Sequence, residues 1–293
     1  MHYNSACIDC LIHSEYSFAR SQERGEAVTR AYLEDVLRTT LEAPKDVAAA
    51  YLAAKFAELR RQYFHIDDPY AEVKRRSNDL MLSQLPRLRQ MTAASPDPLA
   101  MALCLSRIGN FLDFAVLSED VILRELEAAM EKAPETPLDP TELSYFRRDL
   151  ETARSFFLIA DNAGELVCDL LLLETLQQLY PHLTLICGVR GGNAHNDATR
   201  EDAAYVGMDK IAAIVDSGSR IPGTQLNYCS EEFLSVFRSA NVIISKGQAN
   251  FECLSGCGAN VYYLLLSKCR MLCELMQVPQ FTGLFLNERR LPV

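Results

Sequence analysis

The chain of 293 residues contains no apolar run of the roughly 18 residues that a membrane-spanning helix requires. Its first residues, MHYNSACIDC, also lack the basic stretch and apolar core of a secretory signal peptide. These two absences predict a cytoplasmic protein that does not act on membranes. The ten cysteines are then expected to stay reduced, so disulfide bonds do not explain them.

Basic residues are in the minority. Lys and Arg total 29 against 39 Asp and Glu, which gives a formal net charge of −10. Such a charge repels nucleic acid and anionic membrane at long range, so we expect neither as a partner. A phosphorylated ligand therefore needs a local source of positive charge, which a metal ion, a lysine or helix N-termini can supply.

The N-terminal half shows helical periodicity throughout and requires no strand. From about Ser14 to Asp149, apolar residues recur at spacings of three and four, and prolines divide the segment into about six or seven helices. The segment APETPLDP marks the change to a different pattern. We therefore predict a helical domain over residues 1–149 and a second domain over residues 150–293.

The second half alternates short apolar runs with helical segments. The predicted strands are SFFLIA, LTLICGV, KIAAIVDSG, NVIISKG, VYYLLL and GLFLN. This alternation is typical of right-handed βαβ units and of a mostly parallel sheet covered on both faces. The predicted fold class is therefore α/β.

Polar clusters directly follow the first four predicted strands. They are DNAGE, RGGNAHNDAT, DSGS and SKGQANFE, in chain order. Ligands of open parallel sheets bind beyond the carboxyl ends of the strands. The pattern therefore predicts that polar side chains from these clusters converge at one edge of the sheet: Asp161, Asn162, Asn196, Asp197, Asp216 and Lys246.

The residue types suggest the chemistry of this edge. Two carboxylates and an amide oxygen form a hard-oxygen set suited to Mg²⁺ or Mn²⁺, with positions left for water and phosphate. A lysine beside a glycine at a helix start can hold phosphoryl oxygens and offset their negative charge. A single aspartate after a strand is often only a helix N-cap. For Asp216, both an N-cap and a role in the site are compatible with the sequence.

The segments DNAGE, NDATREDA and SKGQANFE resemble three signatures of the DUF89 family, also called the ARMT1-like or damage-control phosphatase family. CIDC, DPYAEVKRRSND and RIGNFLDF resemble elements of its CxxC-containing prokaryotic subfamily, so the resemblance extends over the whole chain. It implies a helical N-terminal domain followed by a Rossmann-like three-layer α/β/α domain. It also implies a phosphatase with one divalent metal ion (Mn, Ni, Co or Mg) that hydrolyses phosphomonoesters of small, damaged or surplus metabolites.

The resemblance also assigns roles to individual residues. The implied metal ligands are Asp161, Asn162 and Asp197, and the implied catalytic residues are Asp161 and Lys246. The implied substrate-binding residues are Asn110, Asp113, Glu165, Asn196 and Lys246. The loop GGNAHND departs from the pattern, because relatives commonly have a proline and apolar residues there, so its shape and the substrate specificity are expected to differ.

Two routes of hydrolysis stay open. Water can attack a phosphoryl group that the metal polarises, or Asp161 can attack and form an acyl phosphate. Binding of Asp161 to the metal favours attack by water. The CxxC motif of Cys7 and Cys10 also has two interpretations, which are packed thiols and a metal or redox role. The motif alone does not decide between them, because a zinc site usually needs a second pair of ligands.

Missing motifs disfavour other enzyme classes. DNAGE stands where a nicotinamide or flavin enzyme would have GxGxxG, and Ala163 stands where a haloacid-dehalogenase-like phosphatase needs a second aspartate. Two alternatives are kept. One is a carboxyl methyltransferase that uses S-adenosylmethionine, although no glycine-rich loop for that cofactor is visible. The other is a non-catalytic, metal-binding scaffold protein, and the oligomeric state is open in every case.

Overall fold

The computed structural model describes residues 1–66, 68–109, 119–132 and 138–291. In these ranges only helices precede Ser155, as the periodicity predicted. The last of them is capped by Asp139, whose carboxylate accepts from the backbone N–H groups of Thr141 and Glu142. The helices are α1 Ser5–Ser21, α2 Glu26–Glu42, α3 Ala49–Phe64, α4 Ala71–Ala94, α5 Pro98–Gly109, α6 Glu119–Lys132 and α7 Pro140–Thr152.

The second half forms one six-stranded sheet with the strand order β3-β2-β1-β4-β5-β6. All neighbouring strands are parallel except β5 and β6, which are antiparallel. Every strand lies within its predicted apolar run, which confirms the α/β fold with a mostly parallel sheet. The strands are β1 Ser155–Ile159, β2 Thr184–Val189, β3 Ala213–Asp216, β4 Val242–Lys246, β5 Val261–Leu266 and β6 Gly283–Asn287.

The strand order creates a crevice between β1 and β4. The chain passes from β1 to β2 on one side, whereas β4 lies on the other side of β1. Connections that diverge in this way leave an opening at the carboxyl ends of the two central strands. The connecting helices are α8 Glu165–Leu179, α9 Arg200–Val206, α10 Glu231–Ser239, α11 Gln248–Leu254 and α12 Arg270–Met276.

The two faces of the sheet have separate cores because side chains alternate along each strand. Phe156 and Leu158 pack into a core with α4 to α9, whereas Phe157 and Ile159 pack against α10 to α12. Helices α1 to α3 bury a third cluster of their own, which includes Phe56. Helices α4 to α7 thus share a core with the sheet, and the domain division at residue 149 stays a prediction.

None of the helices described is long and apolar enough to cross a membrane.

Candidate active site

Asp161 lies two residues after β1 and is almost completely buried. Asn162 donates its Nδ2 to Asp161 Oδ2 at 2.9 Å and to Glu165 Oε2 at 3.3 Å. Asn162 also forms an antiparallel backbone bridge with Asp197, and the N–H of Ala198 donates to the Asp161 carbonyl at 2.8 Å. The structure therefore brings together the three residues to which the sequence assigned a metal ion.

Asp197 is held by a buried arginine at the end of β2. Arg190 donates Nε to Asp197 Oδ2 at 2.6 Å, Nη1 to Thr224 Oγ1 at 3.0 Å and Nη2 to Asn250 Oδ1 at 2.8 Å. A guanidinium offers its donors in a fixed planar fork, so these three acceptors fix its orientation. Arg190 therefore determines where the Asp197 carboxylate points.

Asn250 extends this network to the two central strands. Its Nδ2 donates to the carbonyl of Ala160, directly after β1, at 3.1 Å and to the carbonyl of Lys246, in β4, at 2.7 Å. The ends of β1, β2 and β4 are therefore joined by side chains at the crevice. The sequence patterns did not single out Arg190 or Asn250, although both lie inside the polar clusters that follow strands.

Lys246 is the last residue of β4 and is fully buried. Its Nζ donates to the carbonyl of Ser106 at 3.0 Å, to Glu165 Oε1 at 2.6 Å and to Asp169 Oδ1 at 2.5 Å. Burial alone lowers the pKa of Lys246, but the charges of Asp169 and Glu165 outweigh it and raise that pKa. All three N–H donors of the ammonium group are used in this arrangement.

Asp169 is a buried carboxylate that periodicity did not single out. Ser106 donates its hydroxyl to Asp169 Oδ1 at 2.6 Å, whereas Oδ2 is buried and has no hydrogen-bond partner in the described part of the chain. Burial raises the pKa of Asp169 to about 6, although Lys246 opposes this shift. Its signal in the sequence is the spacing from Glu165, because residues four apart share one side of a helix.

Asp161 is a buried carboxylate close to other negative charges. Burial, followed by the charges of Asp197 and Glu165, raises the pKa of Asp161 to about 7, whereas Lys268 and Arg190 act in the opposite direction. Lys268 is exposed and follows β5, and its backbone N–H donates to Gln248 Oε1 at 3.1 Å. An exposed ammonium group therefore acts on the buried carboxylate, and the sequence patterns did not single it out.

The loop between β2 and α9 has an unusual conformation. His195 has a φ of 49°, in the left-handed region, and its ring centroid lies 5.7 Å from that of Tyr70. Burial lowers the pKa of His195, which favours the neutral imidazole. Asn196 contacts the first motif through its backbone, because its carbonyl accepts from the N–H of Ala163 at 2.9 Å.

Asp216 occupies the rim of the same edge. Its carboxylate pairs with Arg200 and accepts from the N–H of Gly218 at 3.0 Å. These contacts organise the end of β3 and are those expected of a structural aspartate.

Asn110 and Asp113 lie outside the described residues, and their cleft-lining role stays a prediction. Helix α5 ends just before them at Gly109. A β-carbon at Gly109 would lie 3.0 Å from Glu165 Cγ, so the absence of a side chain allows α5 to approach α8 closely.

The donor set fits a divalent cation. The described residues contain no cluster of three or more His, Cys, Asp or Glu side chains arranged to hold a metal. Asp161, Asn162 and Asp197 instead supply two carboxylates and one amide, and hard cations such as Mg²⁺ prefer such oxygen donors. A bound cation would relieve the repulsion between the two carboxylates, provided that Asn162 presents Oδ1, because its Nδ2 now faces Asp161.

The sequence matches the model of the damage-control phosphatase ARMT1-like domain over residues 3–284. The chain belongs to this family. A damage-control phosphatase of Archaeoglobus fulgidus is 29% identical to it over 272 residues, which are 92% of this chain and 93% of that protein. The damage-control phosphatase PH1575 of Pyrococcus horikoshii is 31% identical over 215 residues, which are 73% of this chain and 72% of that protein.

The fold of the family is known from a crystal structure of a DUF89 family protein of Pyrococcus horikoshii. It matches 98% of this chain and 99% of its own with a TM-score of 0.84, at 24% sequence identity. These matches confirm the family resemblance and the fold class, and the activity of the family is that of a phosphatase. The roles of individual residues stay predictions.

Proposed function

We propose that this member of the damage-control phosphatase family hydrolyses phosphomonoesters of small metabolites with one divalent metal ion held by Asp161, Asn162 and Asp197. The pairing of Asn162 with Asp197 beside the buried Asp161 carboxylate, at the crevice of the sheet, supports this proposal most directly. When bound, a metal ion of this kind polarises the phosphoryl group and offsets its charge. Mn²⁺, Ni²⁺, Co²⁺ and Mg²⁺ are the candidates.

Arg190 and Lys246 are buried and hold carboxylates of the site in place. Arg190 binds Oδ2 of Asp197, so Oδ1 of that carboxylate is the atom that we assign to the metal ion. Lys246 offsets the charges of Glu165 and Asp169 from a fully buried position, so its contribution to catalysis is electrostatic. For direct contact with a phosphoryl oxygen, Lys246 would have to release one acceptor, and the neutral carbonyl of Ser106 is the one held at the longest distance.

Lys268 is the exposed cation in the proposed mechanism. It lies at the carboxyl-end edge of the sheet, and its backbone is fixed by the side chain of Gln248. Helix α8 also begins at this edge, and the positive end of its dipole favours a phosphoryl group. We assign the direct contact with the phosphoryl oxygens to Lys268. Lys246 then contributes a buried positive charge without touching the substrate.

The surroundings of Asp161 favour attack by water over attack by the carboxylate. Asn162 donates to Oδ2 of Asp161, and Gly247 lies directly against the same oxygen. A carboxylate oxygen held in this way is poorly placed to attack phosphorus as a nucleophile. Catalysis then depends on positioning the ester and on stabilising charge.

Release of phosphate tests the function directly. Metal-free protein is assayed with sugar phosphates, phosphopantetheine derivatives and nucleotides, alone and with each of the four metals. Hydrolysis is expected only with metal, and both Asp161→Ala and Asp197→Ala should lose it together with tight metal binding. Absence of phosphate release with every metal and ester would instead support the carboxyl methyltransferase or the scaffold protein.

The cytoplasm is the location that we propose, because all ten cysteines are free thiols in the structure and such thiols persist in a reducing compartment.

A further inference from the structure

A groove of about 390 Å³ lies between helix α3 and the loops that follow β2 and β3. Arg61 lines it from α3, and Ser219 and Arg220 line it from the loop after β3, which contains the DSGS cluster. Asn193, four residues before Asp197, lines it from the loop after β2. The groove therefore adjoins the loop that supplies a proposed metal ligand, at the edge of the sheet where ligands bind.

The groove has a surplus of positive charge in a chain whose net charge is −10. Lys55 in its wall pairs with Glu58 at 3.1 Å. Arg61 and Arg220 form no ion pair with any Asp or Glu of the described ranges. Concave sites lined by charge of one sign concentrate ions of the opposite sign.

A larger cavity elsewhere shows the contrast. It measures about 670 Å³ and lies along α4 and α8, but its arginine, Arg89, is bound to Glu174 with an Nε to Oε2 distance of 2.9 Å. This cavity therefore has no surplus charge to attract an anion. The larger volume therefore does not identify the site for an anion, whereas the surplus of positive charge does.

The position of Arg220 depends on a glycine of the metal-ligand loop. A β-carbon at Gly192 would lie 2.9 Å from Arg220 Nε, so the side chain of Arg220 packs directly against this glycine. Tyr51 and Tyr228 also line the groove, and their rings pack with centroids 5.3 Å apart. The groove thus has cationic side chains beside the loop and an aromatic pair in its wall.

We propose that this groove, with Arg61 and Arg220, binds a second anionic group of the substrate, a carboxylate or a phosphate, while the first phosphate occupies the metal site. The inference rests on the proposed phosphatase function and specifies its substrate class. Guanidinium groups bind both kinds of oxyanion through paired N–H donors. Four extended residues span at most about 14 Å, so the groove and Asp197 lie within reach of one small metabolite.

Matched synthetic esters test this inference. Phosphate esters of ω-hydroxy acids are compared with phosphate esters of diols of the same chain length, which end in a neutral hydroxyl group. The ratio of kcat/KM between acid and diol should reach about 10 to 100 at an optimal length, the size expected for a contact between charged groups. Esters that end in a second phosphate show which anion is preferred.

Variants connect this ratio to the groove. Arg220→Ala and Arg61→Gln should bring the ratio close to one, and Arg220→Glu should make the diol esters the better substrates. Arg24→Ala, which removes an exposed arginine in the turn between α1 and α2, should leave the ratio unchanged. A ratio near one in the unmodified protein, or a high ratio that survives Arg220→Ala, overturns the inference while the phosphatase function stands. Absence of hydrolysis in all series would overturn both.

Discussion

Arg190 donates its Nε to Oδ2 of Asp197 at 2.6 Å, and both side chains are buried. The same guanidinium bonds Thr224 and Asn250, so one residue orients a proposed metal ligand and joins it to the ends of two other strands. Partners of this kind tune metal affinity without touching the metal.

We therefore expect Arg190→Lys to weaken metal binding by about 10- to 100-fold, because an ammonium group keeps the charge but cannot reproduce three fork-like contacts. Calorimetric titration of metal-free protein with Mn²⁺ measures the change. Arg200→Lys is the matched control, because Arg200 pairs with Asp216 at the rim. Equal affinities in all three proteins would show that Arg190 does not position Asp197.

Substitutions of Lys246 and Lys268 should have different effects on stability. Lys246→Met leaves Glu165 and Asp169 buried without their cation, so we expect a loss of about 3 to 5 kcal/mol in the free energy of unfolding. Lys268→Met removes an exposed side chain and should change that free energy by less than about 0.5 kcal/mol. Urea denaturation compares the two variants.

The same pair gives a kinetic prediction. Lys268→Met should lower kcat/KM by about 10- to 100-fold through loss of a charged contact with the phosphoryl group, and Lys268→Arg should restore most of it. Steady-state hydrolysis of a simple phosphomonoester is the measurement. Full activity in Lys268→Met would show that Lys268 does not contact the phosphate and would favour Lys246 for that role.

Gly247 should tolerate no side chain. Its φ of 74° and ψ of 165° fall in a region that is nearly exclusive to glycine, and a β-carbon there would overlap Oδ2 of Asp161. We expect Gly247→Ala to cost about 1 to 3 kcal/mol in backbone strain and to abolish tight metal binding. Gly256→Ala is the control, because Gly256 also has a positive φ, of 89°, but open space around it. Metal binding that survives in Gly247→Ala would show that Asp161 has room to move.

Asp169 gives a dependence on pH. Its pKa is raised to about 6 by burial, so between pH 4 and 6 the folded protein holds a proton that the unfolded chain releases. Stability from this group is complete below about pH 4 and is lost as the pH rises to 6, with a slope of at most about 1.4 kcal/mol per pH unit. Asp169→Asn should lower the slope in denaturation curves of metal-free protein by this amount, whereas the contribution of Asp161, whose pKa is raised to about 7, should remain. An unchanged slope would assign it to other groups.

Much of the fold could be predicted because periodicity and burial are closely linked. VYYLLL became β5, and the alternation of Phe156 with Phe157 follows from strand geometry alone. The convergence of Asp161 with Asp197 also follows from the rule on strand ends. The direction of β6 was not predicted, because a single apolar run is compatible with either direction.

The depth of individual side chains in the site could not be predicted. Strand and helix patterns place Lys246 at an edge, but they do not show that Glu165, Asp169 and Ser106 enclose its ammonium group. Those contacts depend on how α5 and α8 pack, which is a matter of tertiary structure. The exposed Lys268 has no local signature for the same reason.

The separate packing of α1 to α3 has a consequence for the evolution of specificity. Phe56 belongs to the cluster of those three helices, whereas α4 to α9 share a core with the sheet, at whose edge the proposed metal ligands lie. We therefore expect substitutions in the outer wall of the groove, where Arg61 stands, to alter substrate preference more readily than they alter hydrolysis. We expect new specificities in this family to evolve by changes in this group of helices.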